Sequence, residues 1–390
     1  MSRDTLFISD DDRYDRLRLI SWWDQDKLAA AKILVVGAGA LGNEVLKNLV
    51  LLGVGKIYLI DFDLMESSNL SRSVFFRADD RGKPKADLAA ERAAELNPDV
   101  TIVPIHGNVM TDIGLGFLKS MDLVIGCLDN REARLWVNRM CWKACVPWID
   151  GGIQEINGVA KVYQPPGGAC YECTMTANDY RLINLRYSCP LLKQEDIQAG
   201  RVPTAPTIAS MIGALQVQEA LKLLHQIPTD AGTALVFNGL SNQFYKSTLP
   251  RREDCLSHDT YETIQEIPLD HCQTLNALFQ TVAQQLDNET TLVLDRDFVQ
   301  QLECDACQSI KAVSGPALLL SQKDAICQCG QPMRPVMISE VTQTHLNQDS
   351  KIADRPLKDL GIPDWDIIKL VTQEGTEVHW QLRPTMTEST

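Results

Sequence analysis

Residues 32–63 read KILVVGAGALGNEVLKNLVLLGVGKIYLIDFD, and this stretch decides the fold. It begins and ends with an apolar run typical of a buried strand, and the segment between them has the spacing of an amphipathic helix. A glycine turn, Gly37-Ala38-Gly39-Ala40-Leu41-Gly42, joins the first strand to that helix. The pattern therefore predicts a βαβ unit of a Rossmann-type sheet.

The same alternation of strands and helices continues beyond residue 63. A helix is predicted at 84–98, strands near 100–104 and at 122–127, and a long apolar helix at 204–226. Strands that alternate with helices indicate an α/β fold with a doubly wound, mostly parallel sheet. The polar, irregular segment 174–203 is predicted to be a crossover loop above the active site.

The chain changes character near residues 250–260, where the elements become shorter and a second group of cysteines begins. We therefore predict a first domain over 1–258, built on the Rossmann-type sheet, and a small, β-rich, zinc-ribbon-like domain over 259–390. Residues 357–382 of the second domain have the pattern of a turn followed by a β-hairpin. We expect this part of the domain to recruit another protein.

Composition limits the functions that the chain can have. The 390 residues carry a formal net charge of -14, which argues against general nucleic-acid binding because phosphate backbones are held by basic surfaces. No apolar run of about 18 residues is present, so no membrane span is expected. The charged N-terminal sequence does not resemble a signal peptide, and we expect a cytoplasmic protein.

The glycine turn predicts a nucleotide site, because glycines allow phosphate to approach the N–H groups at a helix N-terminus. Asp61 follows at the end of the next strand, where it can bond ribose hydroxyls. These features alone fit an NAD-dependent oxidoreductase equally well. Further motifs are needed to distinguish an NAD site from a site for another nucleotide.

Three further motifs are spaced along the next 70 residues of the chain: ESSNLSR at 66–72, GKPK at 82–85 and CLDNR at 127–131. With the glycine turn they resemble the adenylating superfamily of ubiquitin-activating enzymes and their ThiF-type bacterial relatives, which activate sulfur-carrier proteins. The resemblance runs from about Arg13 to about His258. It implies an enzyme that uses ATP and Mg²⁺ to adenylate a carboxylate.

The resemblance implies a role for individual positions. Asp61 would bind ribose, Asn69 and Arg72 would contact phosphate, and Lys85 would bind phosphate from the start of a helix. Asp129 would help to place Mg²⁺, and Arg16 would reach the ATP of a neighbouring protomer, which requires a homodimer. Ala40 departs from the glycine that many relatives have. The full candidate nucleotide site is Gly37, Gly39, Ala40, Gly42, Asp61, Asp63, Asn69, Arg72, Lys85, Asp129 and Asn130.

The chemistry of such a reaction accounts for the basic residues independently. A carboxylate that attacks the α-phosphate is repelled by the triphosphate, so several cations and Mg²⁺ must neutralise it. Arg16, Arg72 and Lys85 are expected to supply this field. Hydride transfer needs no such cluster.

Cys189 lies in the predicted crossover loop, within Arg186-Tyr187-Ser188-Cys189-Pro190. In relatives that form a thioester, the catalytic cysteine occupies a matching loop. The resemblance therefore implies that Cys189 attacks the acyl-adenylate and expels AMP. The alternative is a loop cysteine without a role, since some relatives pass the carrier on without forming a thioester.

The spacing of eight metal-ligand residues suggests two zinc sites and not disulfides, since the expected compartment is reducing. The first set has Cys170 and Cys173 on one turn and Cys255 and His258 on another. The family has a structural zinc at this place, usually with four cysteines, so His258 is a departure that Zn²⁺ tolerates. The alternative is a zinc site that uses only one of the two pairs together with water. The second set, outside the resemblance, consists of Cys304, Cys307, Cys327 and Cys329, for which a redox pair is the alternative.

Three functions are weighed against each other. The leading hypothesis is ATP-dependent activation of a ubiquitin-like protein, with a thioester on Cys189 and transfer to a conjugating enzyme. The second is a sulfur-carrier adenylyltransferase of cofactor biosynthesis, whose product is a thiocarboxylate. The third is a catalytically silent scaffold. The argument against it is the joint presence of Arg16, Asp61, Asn69, Arg72, Lys85 and Asp129.

Overall fold

The computed structural model describes residues 12–181, 203–287, 289–320, 324–348 and 350–383. They form two units, one built on an eight-stranded sheet and one on a six-stranded sheet. We call these the eight-stranded unit and the six-stranded unit. Each sheet has helices packed against it, and the fold class expected from the sequence, an α/β protein with a second β-rich part, is confirmed.

The eight-stranded sheet has the order β3-β2-β1-β4-β5-β6-β7-β8. Neighbouring strands are parallel from β3 to β5 and antiparallel from β5 to β8. The strands are β1 (Lys32–Val36), β2 (Lys56–Asp61), β3 (Thr101–His106), β4 (Leu123–Gly126), β5 (Trp148–Gln154), β6 (Asn157–Tyr163), β7 (Thr233–Asn238) and β8 (Gln243–Thr248).

Helices cover both faces of the parallel half. They are α1 (Asp15–Arg18), α2 (Gln25–Ala30), α3 (Ala40–Leu51), α4 (Lys85–Ala94), α5 (Val109–Asp112), α6 (Leu115–Lys119), α7 (Arg131–Ala144) and α8 (Pro206–Leu224). Strands β1 and β2 with α3 form the βαβ unit that residues 32–63 predict. Strand residues alternate between two apolar cores, so that Ile33 and Val35 face one and Leu34 and Val36 the other.

The six-stranded unit has strands β9 (Ile264–Ile267), β10 (Thr291–Glu303), β11 (Ile310–Pro316), β12 (Arg334–Thr342), β13 (Ile367–Val371) and β14 (Glu377–Leu382). Its strand order is β11-β10-β13-β14-β9, and β12 pairs with β10. Helices α9 (Leu275–Gln285), α10 (Gln343–Gln348) and α11 (Ser350–Ala353) complete it. Its apolar core includes Leu278, Phe298 and Trp380, which are at most 3% exposed. The expected terminal hairpin is β13–β14.

The two units are joined through buried charged groups. Arg296 on β10 is 2.9 Å from Asp366 and donates to the carbonyl oxygens of Met110 and Ile113, at 2.5 and 3.2 Å. Asp366 also accepts the N–H of Leu115 at the start of α6, at 2.8 Å. Because every one of these groups is paired, the charges are tolerated inside the interface.

Among the helices that the structure describes, none combines the length and apolarity needed to cross a bilayer.

Candidate functional site

The glycine turn leaves an open helix N-terminus at the carboxyl end of β1. A Cβ on Gly37, whose φ is +102°, would lie 2.5 Å from the carbonyl oxygen of Cys127, and one on Gly42 would collide with the carbonyl of Gly37. A Cβ on Gly39 would meet no atom within 4 Å. Gly39 is also the N-cap of α3, without a side chain that caps the helix. The turn thus offers uncapped N–H groups and open space, which suit a phosphate.

Asp61 at the end of β2 is tied to this turn. Its Oδ2 accepts the N–H of Ala38 at 2.7 Å, and its Oδ1 accepts the N–H of Asp63 at 2.7 Å. Burial raises the pKa of Asp61, although these two hydrogen bonds and nearby Lys85 act in the opposite direction. The carboxylate therefore fixes the shape of the turn.

Lys85 stands at the first position of α4, and its Nζ is 2.6 Å from Oδ2 of Asp63. The side chain of Lys85 is 10% exposed and that of Asp63 is 49% exposed. The backbone N–H of Lys85 also donates to the backbone carbonyl of Asp63 at 3.0 Å. Two residues that the sequence assigns to one nucleotide site are therefore an ion pair next to Asp61.

Asn69 and Arg72 lie on the 3-10 helix Ser67–Ser71 and just after it. Asn69 is buried, and its side-chain oxygen accepts the N–H of Glu66 at 2.9 Å. Arg72 donates to the carbonyl of Ser68 at 2.9 Å. Both side chains thus organise their own loop, and their proposed contact with phosphate stays a prediction.

Asp129 and Asn130 follow β4. Asn130 caps α7 by accepting the N–H of Ala133 at 2.7 Å, while Asp129 is exposed. Arg134 stabilises this loop, because its guanidinium donates hydrogen bonds to the carbonyls of Leu128 and Gly151 at 2.6 and 2.9 Å.

Arg134 also pairs with buried Asp150 at 2.9 Å. Sequence reasoning missed this pair. The signal in the sequence is an aspartate that directly follows the apolar run 146–149, and it does not indicate the partner.

The two remaining catalytic candidates are Arg16 and Cys189. Arg16 is exposed on α1. Cys189, with most of the predicted crossover loop, lies outside the described residues. Their roles stay predictions.

The first cysteine cluster, Cys170, Cys173, Cys255 and His258, brings four ligand atoms within 4.8 Å of one another. Sγ of Cys170 lies 3.7 Å from that of Cys173 and 3.5 Å from that of Cys255, and Sγ of Cys173 lies 3.4 Å from Nε2 of His258. Three soft sulfurs and one imidazole nitrogen at these separations fit a tetrahedral Zn²⁺ site.

The surroundings of the first cluster include a charged network that the sequence did not reveal. Glu172, between two of the cysteines, is fully buried. It accepts hydrogen bonds from Arg139 at 2.6 Å, from Tyr180 at 2.7 Å and from Ser257. The ring of Trp142 stacks on His258 with centroids 4.3 Å apart. The cluster is therefore embedded in the core of the eight-stranded unit.

The second cysteine cluster, Cys304, Cys307, Cys327 and Cys329, also has its four sulfurs within 4.8 Å of one another. Cys304 and Cys329 are 3.6 Å apart, and Cys307 and Cys327 are 3.5 Å apart. Four thiols at these separations fit Zn²⁺. Cys307 and Cys329 are exposed, so this cluster is near the surface of the six-stranded unit.

Comparisons with known proteins show which proteins the chain is similar to. The model of the ThiF family matches residues 12–257. The sulfur carrier protein adenylyltransferase of Thermus thermophilus is 32% identical over 253 residues, which are 63% of this chain and 89% of that protein. SUMO-activating enzyme subunit 2 of Dictyostelium discoideum is 43% identical over 149 residues, or 38% of this chain. The chain spans only 22% of that relative.

Among solved structures, the crystal structure of E. coli MccB with ATP is similar, with 26% sequence identity and a TM-score of 0.52. The match covers 64% of this chain and 74% of MccB.

Proposed function

Because the chain belongs to the ThiF family, we propose that it uses ATP to adenylate the C-terminal carboxylate of a small carrier protein. The observation that carries this proposal is the open N-terminus of α3 at Gly39, bordered by Asp61 and by the Asp63–Lys85 pair. The similarity to a structure of MccB with ATP and to a sulfur carrier protein adenylyltransferase supports the choice of nucleotide and reaction.

In the proposed reaction, a carboxylate oxygen of the carrier attacks the α-phosphorus of ATP. A new bond forms between that oxygen and phosphorus, the bond to the bridging oxygen breaks, and pyrophosphate leaves. The N–H groups at the start of α3 hold phosphate oxygens, and Lys85 offers a nearby ammonium group. Mg²⁺ held by Asp129 would neutralise further phosphate charge. Arg16 of a second copy and Arg72 are proposed to add to this field.

The nature of the carrier is the finer part of the proposal. The name of the Thermus thermophilus relative favours a sulfur carrier, whereas the SUMO-activating relative is matched over a minor part of its length. The sulfur-carrier hypothesis is therefore better supported than thioester transfer from Cys189 to a conjugating enzyme. The thioester, the conjugating enzyme and the homodimer stay predictions.

ATP–pyrophosphate exchange tests the reaction directly. The full chain is mixed with ATP, labelled pyrophosphate and purified carrier proteins of the sulfur-carrier and ubiquitin-like kinds. Exchange is expected with at least one carrier, and Lys85→Met is expected to reduce it by about 10²–10³, the usual loss when a group that stabilises transition-state charge is removed.

Lys119→Met is the matched control, since Lys119 is exposed at the end of α6. It should exchange at the wild-type rate. Wild-type exchange by Lys85→Met would contradict the role given to Lys85, and failure of exchange with every carrier would contradict adenylation.

A further inference from the structure

A buried asparagine contacts the glycine turn from the interior of the eight-stranded unit. Asn43 is the fourth residue of α3 and is 0% exposed, although asparagine is a poor helix former. Its Nδ2 donates to the backbone carbonyls of Ala38 at 2.8 Å and of Gly39 at 3.0 Å. Its Oδ1 accepts the backbone N–H of Phe75 at 3.0 Å. The side chain therefore makes hydrogen bonds to the backbone of two different segments.

The two carbonyls that Asn43 binds decide where the neighbouring N–H groups point. In a trans peptide unit the C=O and N–H bonds point in opposite directions. The carbonyl of Ala38 shares its peptide unit with the N–H of Gly39, and the carbonyl of Gly39 shares its unit with the N–H of Ala40. Since both carbonyls point towards Nδ2 of Asn43, both N–H groups point away from it. They flank the Cα of Gly39, where a Cβ would meet no atom within 4 Å.

The turn is bound from two sides, which restricts rotation of its peptide units. Asp61 accepts the N–H of Ala38 at 2.7 Å, and the carbonyl of Gly39 accepts the backbone N–H of Asn43 at 2.9 Å in addition to its side-chain N–H. A rotated peptide unit would present a carbonyl oxygen to a bound phosphate and repel it. Rotation would also leave the buried amide of Asn43 without an acceptor, which costs the desolvation of that group.

Asn43 also links the turn to other segments of the proposed nucleotide site. Phe75, whose N–H binds Oδ1 of Asn43, comes three residues after Arg72. The carbonyl of Phe75 accepts a hydrogen bond from Arg92, which lies on α4, the helix that begins at Lys85. One chain of hydrogen bonds therefore connects the glycine turn with the segment of Arg72 and with the helix of Lys85.

We propose that Asn43 is a positioning residue of the nucleotide site, which holds the N–H groups of Gly39 and Ala40 in the orientation that binds a phosphate of ATP. This inference rests on the function proposed above, because ATP is the ligand. Asn43 acts through the backbone, since its own side chain is buried and bonded to the turn. Donors that are oriented in advance need no rearrangement when the phosphate binds.

Binding of ATP to the full chain, without any carrier, tests this role. The affinity for ATP with Mg²⁺ is measured by isothermal titration calorimetry, and the affinity for adenosine, which lacks phosphate, is measured by competition with ATP. Asn43→Ala should weaken ATP binding about tenfold, because hydrogen bonds to a charged group become misaligned. Adenosine binding should change by less than about twofold, since no phosphate contact is lost.

Asn43→Thr and Asn43→Val are a matched pair that tests the same role if Asn43→Ala folds poorly. Threonine and valine have nearly the same shape, but a threonine hydroxyl on a helix can donate to the carbonyl four residues earlier, which here is that of Gly39. Asn43→Thr should therefore bind ATP about threefold more tightly than Asn43→Val, with equal affinity for adenosine. Thermal unfolding of each variant shows that folded proteins are compared.

Three results would overturn the role of Asn43 and leave the proposed function intact. They are equal ATP affinities of the wild type and Asn43→Ala, equal ATP affinities of the matched pair, and an equal loss of ATP and adenosine affinity, which a purely structural role predicts. Absence of ATP binding by the wild type would instead overturn the proposed function, and this inference with it.

Discussion

The two cysteine clusters have the same number of ligands but differ in their surroundings. In the first cluster all three cysteines are buried, and the imidazole is covered by Trp142. In the second cluster two of the four cysteines are exposed. The first cluster is therefore part of the core of the eight-stranded unit, whereas the second closes two turns at the surface of the six-stranded unit. An equal number of ligands therefore does not imply a similar contribution to stability.

The largest expected effect comes from removing one ligand of each cluster. Cys173→Ser should release Zn²⁺ from the first cluster and unfold the eight-stranded unit, because structural Zn²⁺ contributes about 10–16 kcal/mol in small zinc domains and whole domains are stable by about 5–15 kcal/mol. Cys307→Ser should release Zn²⁺ from the second cluster and leave pyrophosphate exchange intact. Zinc content, thermal unfolding and exchange are measured on both variants.

The double variant is the control for independence of the clusters. If each cluster serves its own unit, the amount of zinc lost by the double variant is the sum of the amounts lost by the two single variants. Exchange by Cys173→Ser at the wild-type rate, or its loss in Cys307→Ser, would remove the distinction between the clusters.

The next effect concerns the interface between the units. Arg296→Met leaves Asp366 without its partner, and both side chains are at most 5% exposed. Breaking one side of a buried pair costs about 3–5 kcal/mol. We expect the six-stranded unit to unfold at a lower urea concentration than in the wild type, so that the two units unfold in separate steps. Unfolding is measured by tryptophan fluorescence and circular dichroism.

Arg334→Met is the matched control within the six-stranded unit. Arg334 is 59% exposed and pairs with Glu303, so its loss should cost at most about 1 kcal/mol. If both variants unfold like the wild type, the interface does not couple the two units.

The sequence predicted the parts of this fold that follow local rules. Residues 32–63 show the apolar periods of a strand and a helix around a glycine turn, and they form β1, α3 and β2. The glycine pattern alone could not distinguish ATP from NAD, because phosphate binding at a helix N-terminus is common to both. Separation of the two depended on motifs as far apart as Asn69 and Asp129.

The sequence could not predict contacts that depend on the tertiary fold. Arg134 and Asp150, Arg139 and Glu172, and Arg296 and Asp366 are distant in sequence, and nothing in either partner's neighbourhood indicates the other.

The smallest expected effect tests whether the acid sensitivity of the protein also belongs to the eight-stranded unit. Asp80, 1% exposed, accepts hydrogen bonds from Arg92 of α4, and this interaction lowers the pKa of Asp80 to about 2 from a usual value of 3.8. A pKa that is lower in the folded state contributes stability above pH 3.8, and this contribution is lost as the pH falls towards 2. Asp80→Asn should therefore cost about 2 kcal/mol at pH 7, and the cost should shrink below about pH 4.

Exposed Asp79→Asn is the neighbouring control, with little change expected at any pH. Urea unfolding of the three proteins is compared at each pH, so that acid-driven release of Zn²⁺, which affects all of them alike, cancels in the differences. A cost for Asp80→Asn that stays constant from pH 7 to pH 3 would mean that packing of the side chain, and not its charge, stabilises this part of the eight-stranded unit. The acid response would then have to arise from other groups, such as Glu172 and Asp179, whose pKa values are also lowered in the folded eight-stranded unit.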